Sequence, residues 1–529
     1  MGNFLRLTFN RLVIVLLISV VILSATRQVL SSFEHTIPLA YPNALAAPYP
    51  RLIYSTYFGG SQGSDRGYGI AVFEDGSCYL TGQTDSSDFP TQLAFNSTIS
   101  GSGDAFVTKL SGSGSLLWST FFGGSDLEVS HDISVASDGS CYVTGSTESS
   151  DFPTKNAFNS TYGGYEDIFL AKFSSIGQLL WSSYLGGSRL DEGHSIAVTS
   201  DGSCYVTGLT KSSDFPTQNA FDSTHNGGLD AFVSKFSTNG SLLWSTFLGG
   251  NVTDFGFSIA VSDDGSCYVT GYTRSSDFPT LDAYDPTFNS YTDVFVSKFN
   301  ASGSLLWSTF FGGTLGEEAW GITVASDDSC YITGSTSSSD FPTKNAYDES
   351  FNGDDDVFIT KFSSSGSLLW STFLGGSDSD RGHDIAVTSD GSCYVTGGTR
   401  SSDFPIRNAF DSTYNEDYDA FISKFNVSGF LLWSTYLGGR DGGEQGYSLA
   451  VTEAGSCFVT GRTTSNGFPT ENAYDTSLGG SSDAFVTKFV DSPIPTTRPL
   501  IVTGFLVFIA VMLSVSVPVI ALIVYKKRK

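Results

Sequence analysis

Cysteine recurs at an almost constant interval along this chain. The seven cysteines are Cys78, Cys141, Cys204, Cys267, Cys330, Cys393 and Cys457, so successive cysteines lie 63 residues apart five times and 64 residues apart once. The pair Phe-Pro, from Phe89-Pro90 to Phe468-Pro469, keeps the same interval, and so does the lysine of D-x-F-x-x-K. A fixed period of this kind indicates one supersecondary unit that is copied seven times and packs against its own neighbours.

Each repeat is predicted to contain four β-strands, named A to D here. In the first copy, strand A lies near 70–73, B begins at Cys78, C spans 105–110 and D spans 116–121. Asp-Gly joins A to B and Ser-Gly joins C to D, and these pairs favour hairpins because the residues tolerate positive φ. About twenty residues rich in Ser, Asp, Pro and Thr separate B from C, and no segment has a sustained helical period.

Four antiparallel strands in each of seven units predict an all-β fold, a seven-bladed β-propeller. An open β-solenoid is the alternative, and the ends of the repeat array favour the closed ring. The last repeat has no strand D, whereas residues 52–60 match the strand D of the first repeat, with Tyr54 in the place of Trp118. We therefore predict that the N-terminal strand completes the last blade, which also removes exposed sheet edges.

The repeat reads DAFVTKFSxxGSLLWSTFLGG and then IAVxxDGSCYVTGxTxSSDFPTxNAF. This motif resembles the SBBP-type β-propeller repeats of bacterial and archaeal proteins, and the resemblance covers residues 51–490. It implies a propeller on a secreted or surface protein. It implies no particular activity, because a fold alone does not fix function.

An apolar run near the N-terminus, residues 12–25, follows two arginines and is typical of a secretory signal. We predict that residues 1–30 form a signal peptide or, if they are not cleaved, an N-terminal anchor. A linker at 31–50 then leads to the propeller at 51–490.

A second apolar segment, residues 500–525, carries no charge and is followed by four basic residues at 526–529. Its length and the basic stop predict a transmembrane helix with a cytoplasmic basic tail, joined to the propeller by a linker at 491–499. The expected location is therefore the cell membrane, with a single pass and an extracellular ectodomain, or with two passes if the N-terminal segment is retained.

The formal net charge is −27, and residues 51–490 are more acidic still because the basic residues are concentrated at the two ends. Such a surface excludes nucleic acid as a partner and favours cations or basic partners. It also serves simply to keep a long ectodomain soluble. One cysteine in each repeat, at one structural position, predicts buried thiols that are too far apart for disulfides, and no Cys-x-x-Cys spacing indicates zinc.

The loop from strand D to strand A carries two positions of constant character. The first is acidic in all seven copies: Asp65, Glu128, Asp191, Asp254, Glu317, Asp380 and Glu444. The second, three residues later, is aromatic or histidine: Tyr68, His131, His194, Phe257, Trp320, His383 and Tyr447. The fifth copy has a further acid, Glu318. Because strand A lines the central channel of a propeller, we expect two rings at its mouth.

Carboxylates beside flat rings suit sugars, cationic ligands or calcium, and no other cofactor is expected. The alternative is structural: the acid caps the loop and the ring packs between blades. The histidines are too dispersed for one tetrahedral zinc site. No repeat carries an unmatched Ser-His-Asp set or an isolated carboxylate pair that indicates catalysis.

The D–A and B–C connections share one face of a propeller, and the long B–C segments make that face the elaborated one. We expect it to point away from the cell and to bind an extracellular glycan or protein ligand without catalysis, as an adhesion or binding protein does. The alternatives are an extracellular carbohydrate-active enzyme that uses the channel-mouth carboxylates, and a surface-coat spacer without a ligand. Six N-x-S/T sequons predict a glycoprotein: Asn96, Asn159, Asn239, Asn251, Asn300 and Asn426.

Overall fold

The computed structural model describes residues 48–289, 291–415 and 417–492. These residues form seven four-stranded antiparallel sheets, each with its strands in the order A-B-C-D. The strand A of every blade packs against those of the two adjacent blades, and the first and last blades also meet, so the ring is closed. The seven-bladed propeller predicted from the repeat is thereby confirmed.

The strands of the first four blades have the following bounds. Blade 1 has β2 (Asp65–Val72), β3 (Cys78–Thr84), β4 (Asp104–Leu110) and β5 (Leu116–Phe122). Blade 2 has β6 (Glu128–Val135), β7 (Cys141–Thr147), β8 (Asp167–Phe173) and β9 (Leu179–Leu185). Blade 3 has β10 (Asp191–Val198), β11 (Cys204–Thr210), β12 (Asp230–Phe236) and β13 (Leu242–Leu248). Blade 4 has β14 (Asp254–Val261), β15 (Cys267–Thr273), β16 (Asp293–Phe299) and β17 (Leu305–Phe311).

The last three blades follow the same plan. Blade 5 has β18 (Glu317–Val324), β19 (Cys330–Thr336), β20 (Asp356–Phe362) and β21 (Leu368–Leu374). Blade 6 has β22 (Asp380–Val387), β23 (Cys393–Thr399), β24 (Asp419–Phe425) and β25 (Leu431–Leu437). Blade 7 has β26 (Glu444–Val451), β27 (Ser456–Thr463) and β28 (Asp483–Ser492), and its strand D is β1 (Tyr49–Phe58).

The N-terminal strand β1 closes the ring by pairing antiparallel with β28, with Ser55 opposite Thr487. This confirms the prediction from the ends of the repeat array. Tyr54 takes the tryptophan's place and packs on the phenyl ring of Phe458 at 6.3 Å. The predicted signal or anchor segment, most of the two linkers, the transmembrane helix and the basic tail lie outside the described residues. Among the residues that are described, no helix is long and apolar enough to cross a membrane.

Asp491 takes the place of the C–D turn that blade 7 lacks. In blades 1 to 5 the tryptophan of strand D donates its indole N–H to a carbonyl in the next C–D turn, as Trp118 does to Ser175 O at 3.1 Å. Blade 7 has no such turn. Trp433 donates instead to the Asp491 carboxylate at 2.9 Å, and the Lys424 ammonium contacts the same group at 2.5 Å. The Asp491 carboxylate, in the segment that leaves the last strand C, therefore holds the junction of blades 6 and 7 together.

The core lies between adjacent blades and repeats with them. Each cluster contains a cysteine of strand B, aromatic side chains of strands C and D, and the phenylalanine of the Phe-Pro pair. All seven cysteines are buried and unbridged, as predicted. A tyrosine after the cysteine crosses the junction, as Tyr205 does by donating its hydroxyl to Gly265 O at 2.6 Å.

The long B–C segment does more than elaborate one face, because part of it runs along the outer edge of its own blade. Lys155 and Ser182 exchange backbone hydrogen bonds of 3.1 and 2.9 Å, and every other blade has an equivalent bridge to its strand D. The segment turns at a residue with left-handed φ, such as Asn156 at 47°. Covering the outermost strand in this way removes the last free edge of each blade.

Candidate functional site

A β-bulge in every strand A orients the residue that faces the centre of the propeller. In blade 3 the pairing of β10 with β11 shifts register between Gly193 and Ser195, so His194 has no partner on strand B. The other six blades show the same shift at the equivalent position. Bulges redirect side chains in this way beside many functional sites. The bulged residues are the seven aromatic or histidine positions singled out in the sequence.

These seven side chains form one closed circuit, which we call the channel ring. It consists of Tyr68, His131, His194, Phe257, Trp320, His383 and Tyr447. Each ring contacts the next, with centroids from 4.2 Å apart for Phe257 and Trp320 to 6.2 Å apart for Trp320 and His383. Tyr447 and Tyr68, at 5.3 Å, close the circuit. The rings are half-buried and surround a narrow cavity of about 90 Å³.

The histidines of the channel ring are held by polar contacts or kept neutral. His194 places Nδ1 3.1 Å from Gly256 O and Nε2 3.2 Å from the Glu192 carboxylate. His383 places Nδ1 2.9 Å from Gly446 O. Burial, with the nearby His194, lowers the pKa of His131 to about 4, so this imidazole is uncharged at neutral pH. Within the described ranges no three or more His, Cys, Asp or Glu side chains are arranged to hold a metal ion.

A second layer of side chains lies outside the channel ring, and the sequence reasoning missed it. These mouth-layer residues precede the ring residues by two positions: Arg66, Val129, Glu192, Phe255, Glu318, Arg381 and Gln445. Direct contacts join the layers, as where Arg66 donates to the Tyr68 hydroxyl at 3.2 Å and Tyr447 donates to Gln445 Oε1 at 2.6 Å. The signal was present in the sequence as the one position of strand A where charge and size change most between copies.

Blades 4 and 5 concentrate aromatic side chains beside the channel. We call the group of Phe255, Phe257, Tyr272, Tyr291 and Trp320 the aromatic sector. Phe255 stacks on Tyr272 at 4.8 Å, and Phe257 stacks on Trp320 at 4.2 Å with 19° between the planes. The sector therefore extends continuous flat surface from the channel ring toward the loops, where Tyr291 is 70% exposed.

Charged groups and an unpartnered donor border the aromatic sector. The guanidinium of Arg274 lies 5.8 Å from the Tyr272 centroid and 4.8 Å from that of Tyr291. Burial raises the pKa of Glu318, while Arg381 and Arg274 oppose that rise. The indole Nε1 of Trp320 is buried without a hydrogen-bond partner. A buried donor without a partner is costly, so a ligand that accepted from it would gain a strong hydrogen bond.

The seven acids of the D–A loop lie elsewhere than the spacing predicts. Asp65, Glu128, Asp191, Asp254, Glu317, Asp380 and Glu444 are all fully buried in the blade junctions instead of lining the channel mouth. Asp191, for example, accepts from Gly187 N and the Ser212 hydroxyl, each at 2.8 Å, and from the Thr210 hydroxyl. The physical reason is strand parity: the acid and the ring residue are three positions apart, so they point to opposite faces of strand A. The structural alternative for these acids therefore fits their placement.

The other end of the channel carries a larger cavity that sequence reasoning did not anticipate. Its volume is about 400 Å³, and Val261, Val324 and Val387 line it together with Asp263 and Glu453. Only short A–B turns surround it, and these turns carry none of the long segments of the opposite face. The signal was the acidic residue that precedes some of these turns, as at Glu74, Asp263 and Glu453.

The sequons lie in three kinds of connection between strands. Asn96 and Asn159 lie in the B–C segments, Asn239, Asn300 and Asn426 in C–D turns, and Asn251 in a D–A loop. Asn239 and Asn251 are exposed, whereas the carboxamide oxygens of Asn300 and Asn426 accept backbone N–H groups of their own turns. N-glycosylation stays a prediction.

Comparisons with known proteins bear on the repeat more than on the site. Residues 53–90, 180–216, 243–279 and 432–469 match the family described as Beta-propeller repeat, SBBP. The matches lie at four places along the repeat array. The resemblance drawn from the repeat motif is thereby confirmed.

Two curated relatives are distant. The regulatory protein FlaEY of Caulobacter vibrioides is 26% identical over 413 residues, which cover 73% of this chain and 41% of FlaEY. The uncharacterized WD repeat-containing protein L264 of Acanthamoeba polyphaga mimivirus is 23% identical over 354 residues, which cover 53% of this chain and 25% of L264. The chain thus spans less than half the length of either relative.

Among solved structures, YCF48 bound to D1 peptide resembles this chain at 9% identity with a TM-score of 0.39. The match covers 86% of this chain and all of that one. A likeness at this level says nothing about function.

Proposed function

We propose that this chain is a membrane-anchored, extracellular binding protein without enzymatic activity, and that it takes up its ligand at the aromatic sector. The observation that carries the proposal is the aromatic sector itself. Aromatic side chains of two adjacent blades stack into a continuous surface at positions of strand A that differ from copy to copy. Flat apolar surface bordered by Arg and Glu suits a sugar ring or an aromatic side chain of a protein ligand.

The membrane part of the proposal comes from the two ends of the chain. Strand β28 ends at Ser492, eight residues before the apolar segment at 500–525, and strand C of each blade runs toward the face with the short turns. A helix at 500–525 would thus hold that face near the bilayer and leave the loop-rich face pointing outward. The acidic surface, which is unsuited to nucleic acid and anionic lipid, agrees with an ectodomain in solution.

The enzyme alternative loses the carboxylates on which it depends. An acid or nucleophile must reach the substrate, and the seven acids of the D–A loops are fully buried under hydrogen bonds from their own blades. Glu318 is the carboxylate that borders the aromatic sector. Its role distinguishes the two hypotheses directly.

The test uses the full-length protein and a glycan and peptide array. Trp320→Ala is expected to lower binding at least tenfold, because it removes the largest stacking surface and the free indole N–H. Tyr68→Ala is the matched control: it removes a ring at the equivalent position in blade 1, where Arg66 stands in place of a mouth-layer aromatic, and it should bind as the wild type does. Turnover that Glu318→Gln abolishes, with substrate still bound, would support the enzyme instead. Silence of the wild type on the array would support the spacer.

A further inference from the structure

Two carboxyl groups meet at each blade junction, outside the site described above. One belongs to the aspartate that opens strand C, and the other to the D–A loop acid of the next blade. The pairs are Asp104 with Glu128, Asp167 with Asp191, Asp230 with Asp254, Asp293 with Glu317, Asp356 with Asp380, Asp419 with Glu444, and Asp483 with Asp65. All fourteen side chains are fully buried.

The two members of a pair differ in how many donors they receive, as the junction of blades 3 and 4 shows. Asp254 accepts from Gly250 N at 2.7 Å, from the Ser275 hydroxyl at 3.0 Å and from the Thr273 hydroxyl. Asp230 receives only the N–H of Asn226, at 2.8 Å on Oδ2. Its other oxygen, Oδ1, is buried without a partner. Asp254 thus receives enough hydrogen-bond donors to stabilise an ionised carboxylate, whereas Asp230 does not.

The unpartnered oxygen of Asp230 and one oxygen of Asp254 border the same gap. A Cβ added to Gly249 would lie 3.1 Å from Asp230 Oδ1 and 2.8 Å from Asp254 Oδ2, so both oxygens face the gap above this glycine. Two ionised carboxylates that border one gap in a dry site repel each other. The other titratable groups that act on the pair are Asp222, Asp277 and Tyr272, and none of them is cationic.

An unpartnered strand-C oxygen occurs at five junctions, and at two of them the strand-A acid, Glu317 or Asp380, also has one oxygen without a partner. The unpartnered strand-C oxygens belong to Asp167, Asp230, Asp293, Asp356 and Asp419. At the remaining two junctions, backbone N–H groups reach both oxygens of Asp104 and of Asp483. At the junction of blades 3 and 4, the donors to Asp254 leave Asp230 Oδ1 facing an acceptor. A proton on that oxygen gives both atoms a hydrogen bond and removes one charge.

We propose that these five strand-C aspartates are neutral acids in the folded protein, each of which donates its proton to the carboxylate of the next blade. The propeller is in this way cross-linked by five shared protons, one at each junction from blades 2 and 3 to blades 6 and 7. The occupant of the gap beside Asp230 is a proton and not a cation, because hydrogen-bond donors already surround Asp254.

The shared protons give stability a definite dependence on pH. Burial raises the pKa of Asp230 to about 6 and that of Asp254 to about 6, whereas an aspartate in the unfolded chain titrates near pH 4. The folded state therefore holds protons that the unfolded state releases. The resulting stability is complete below about pH 4 and is lost as the pH rises through about 6. This propeller should melt at a higher temperature at pH 5 than at pH 8.

The test compares two substitutions at Asp230 in the full-length protein. Asp230→Asn replaces the neutral acid by a neutral amide that can donate to Asp254, so its melting temperature should match the wild type at pH 5 and equal or exceed it at pH 8. Asp230→Ala removes the donor and should melt lower at both pH values. Asp277→Asn, which removes a neighbouring exposed charge but keeps its acceptor, should retain the full wild-type decline from pH 5 to pH 8.

Infrared spectroscopy at pH 5, below the pKa of about 6 of Asp230, provides a direct measurement. The wild type should show a buried protonated-carboxyl C=O band, and Asp230→Asn should lower its intensity. Three results would overturn the proposal: absence of that band, equal destabilisation by Asn and Ala at pH 5, or a melting temperature that falls in EDTA and recovers with calcium in the wild type but not in Asp230→Asn.

Discussion

The blade junctions and the channel ring occupy the two faces of the same strand A, and the repeats treat them in opposite ways. At the junction, an acid and the two glycines before it return in all seven blades, and Asp191, Asp254 and Asp380 each accept the backbone N–H of the second glycine. In the channel ring, tyrosine, histidine, phenylalanine and tryptophan replace one another. The junction must be identical because each blade has to fit the next. The ring is free to differ because it faces an empty space.

This contrast locates function in a repeat protein without a catalytic motif. A feature that appears seven times serves the fold, and a feature that differs among copies at one structural position is available for recognition. Substitutions in the junctions and in the channel ring test this difference.

Removal of the closing strand should have the largest effect. Deletion of residues 49–58 takes away the partner of β28 and three aromatic side chains, Tyr54, Tyr57 and Phe58, that are at most 1% exposed. We expect the whole propeller to lose cooperative unfolding. Circular dichroism recorded during heating measures this loss. A truncated protein that melts as the intact one does would show that the ring does not depend on this closure.

Loss of the Asp491 carboxylate at the junction of blades 6 and 7 should have the second largest effect. Asp491→Ala leaves the Trp433 indole N–H and the Lys424 ammonium without their carboxylate, which should cost about 2–3 kcal/mol of unfolding free energy because hydrogen bonds to charged groups are strong. Asp491→Asn keeps an acceptor for the indole and should recover part of that loss. Denaturant unfolding measures both. Equal losses for Ala and Asn would mean that the charge alone matters.

The first glycine of each Gly-Gly pair should be sensitive for a different reason. A Cβ at Gly249 would lie 2.8 Å from the Asp254 carboxylate, so Gly249→Ala should lower the unfolding free energy by about 1–3 kcal/mol through overpacking. Gly443→Ala is the matched control, because the nearest atom to its Cβ would be 3.6 Å away. Chemical denaturation of the two variants should separate them clearly. Similar losses would remove the steric explanation.

Substitution of Leu93 should raise the unfolding free energy slightly, whereas the substitutions above lower it. It adopts φ of 49° at the turn where the other six repeats have Asn or Asp, and it is 77% exposed. Left-handed backbone costs most residues roughly 1–2 kcal/mol, and Asn tolerates it better. Leu93→Asn should therefore raise the unfolding free energy by up to about 1 kcal/mol, as read from the melting temperature. No gain would mean that the loop relaxes this strain elsewhere.

The sequence predicted the features that depend on period and missed those that depend on side-chain direction. Spacing gave the number of blades, and the unmatched strand at 52–60 gave the closure. The acids were misplaced because the bulge and the strand parity, which turn Asp191 inward and His194 toward the channel, are not visible as spacing. The B–C segments were assigned wholly to one face because only the structure shows a loop pairing with the strand D of its own blade.

The mouth layer and the cavity at the opposite end of the channel were missed for a related reason. Both are assembled from residues of several blades, and each contributing residue, such as Arg66 or Asp263, looks like an ordinary exposed charge in its own repeat. Only closure of the ring brings them together.

Thermal unfolding of two alanine series tests the central contrast most directly. One series replaces the first glycine at each of the seven junctions, and the other replaces each residue of the channel ring. We predict that the glycine variants all lose several degrees by similar amounts. The ring variants should lose less and differ from one another, with the largest losses at the stacked pair Phe257 and Trp320. Ring variants that all melt as low as the glycine variants would show that the ring is part of the core, and that its variation marks no binding site.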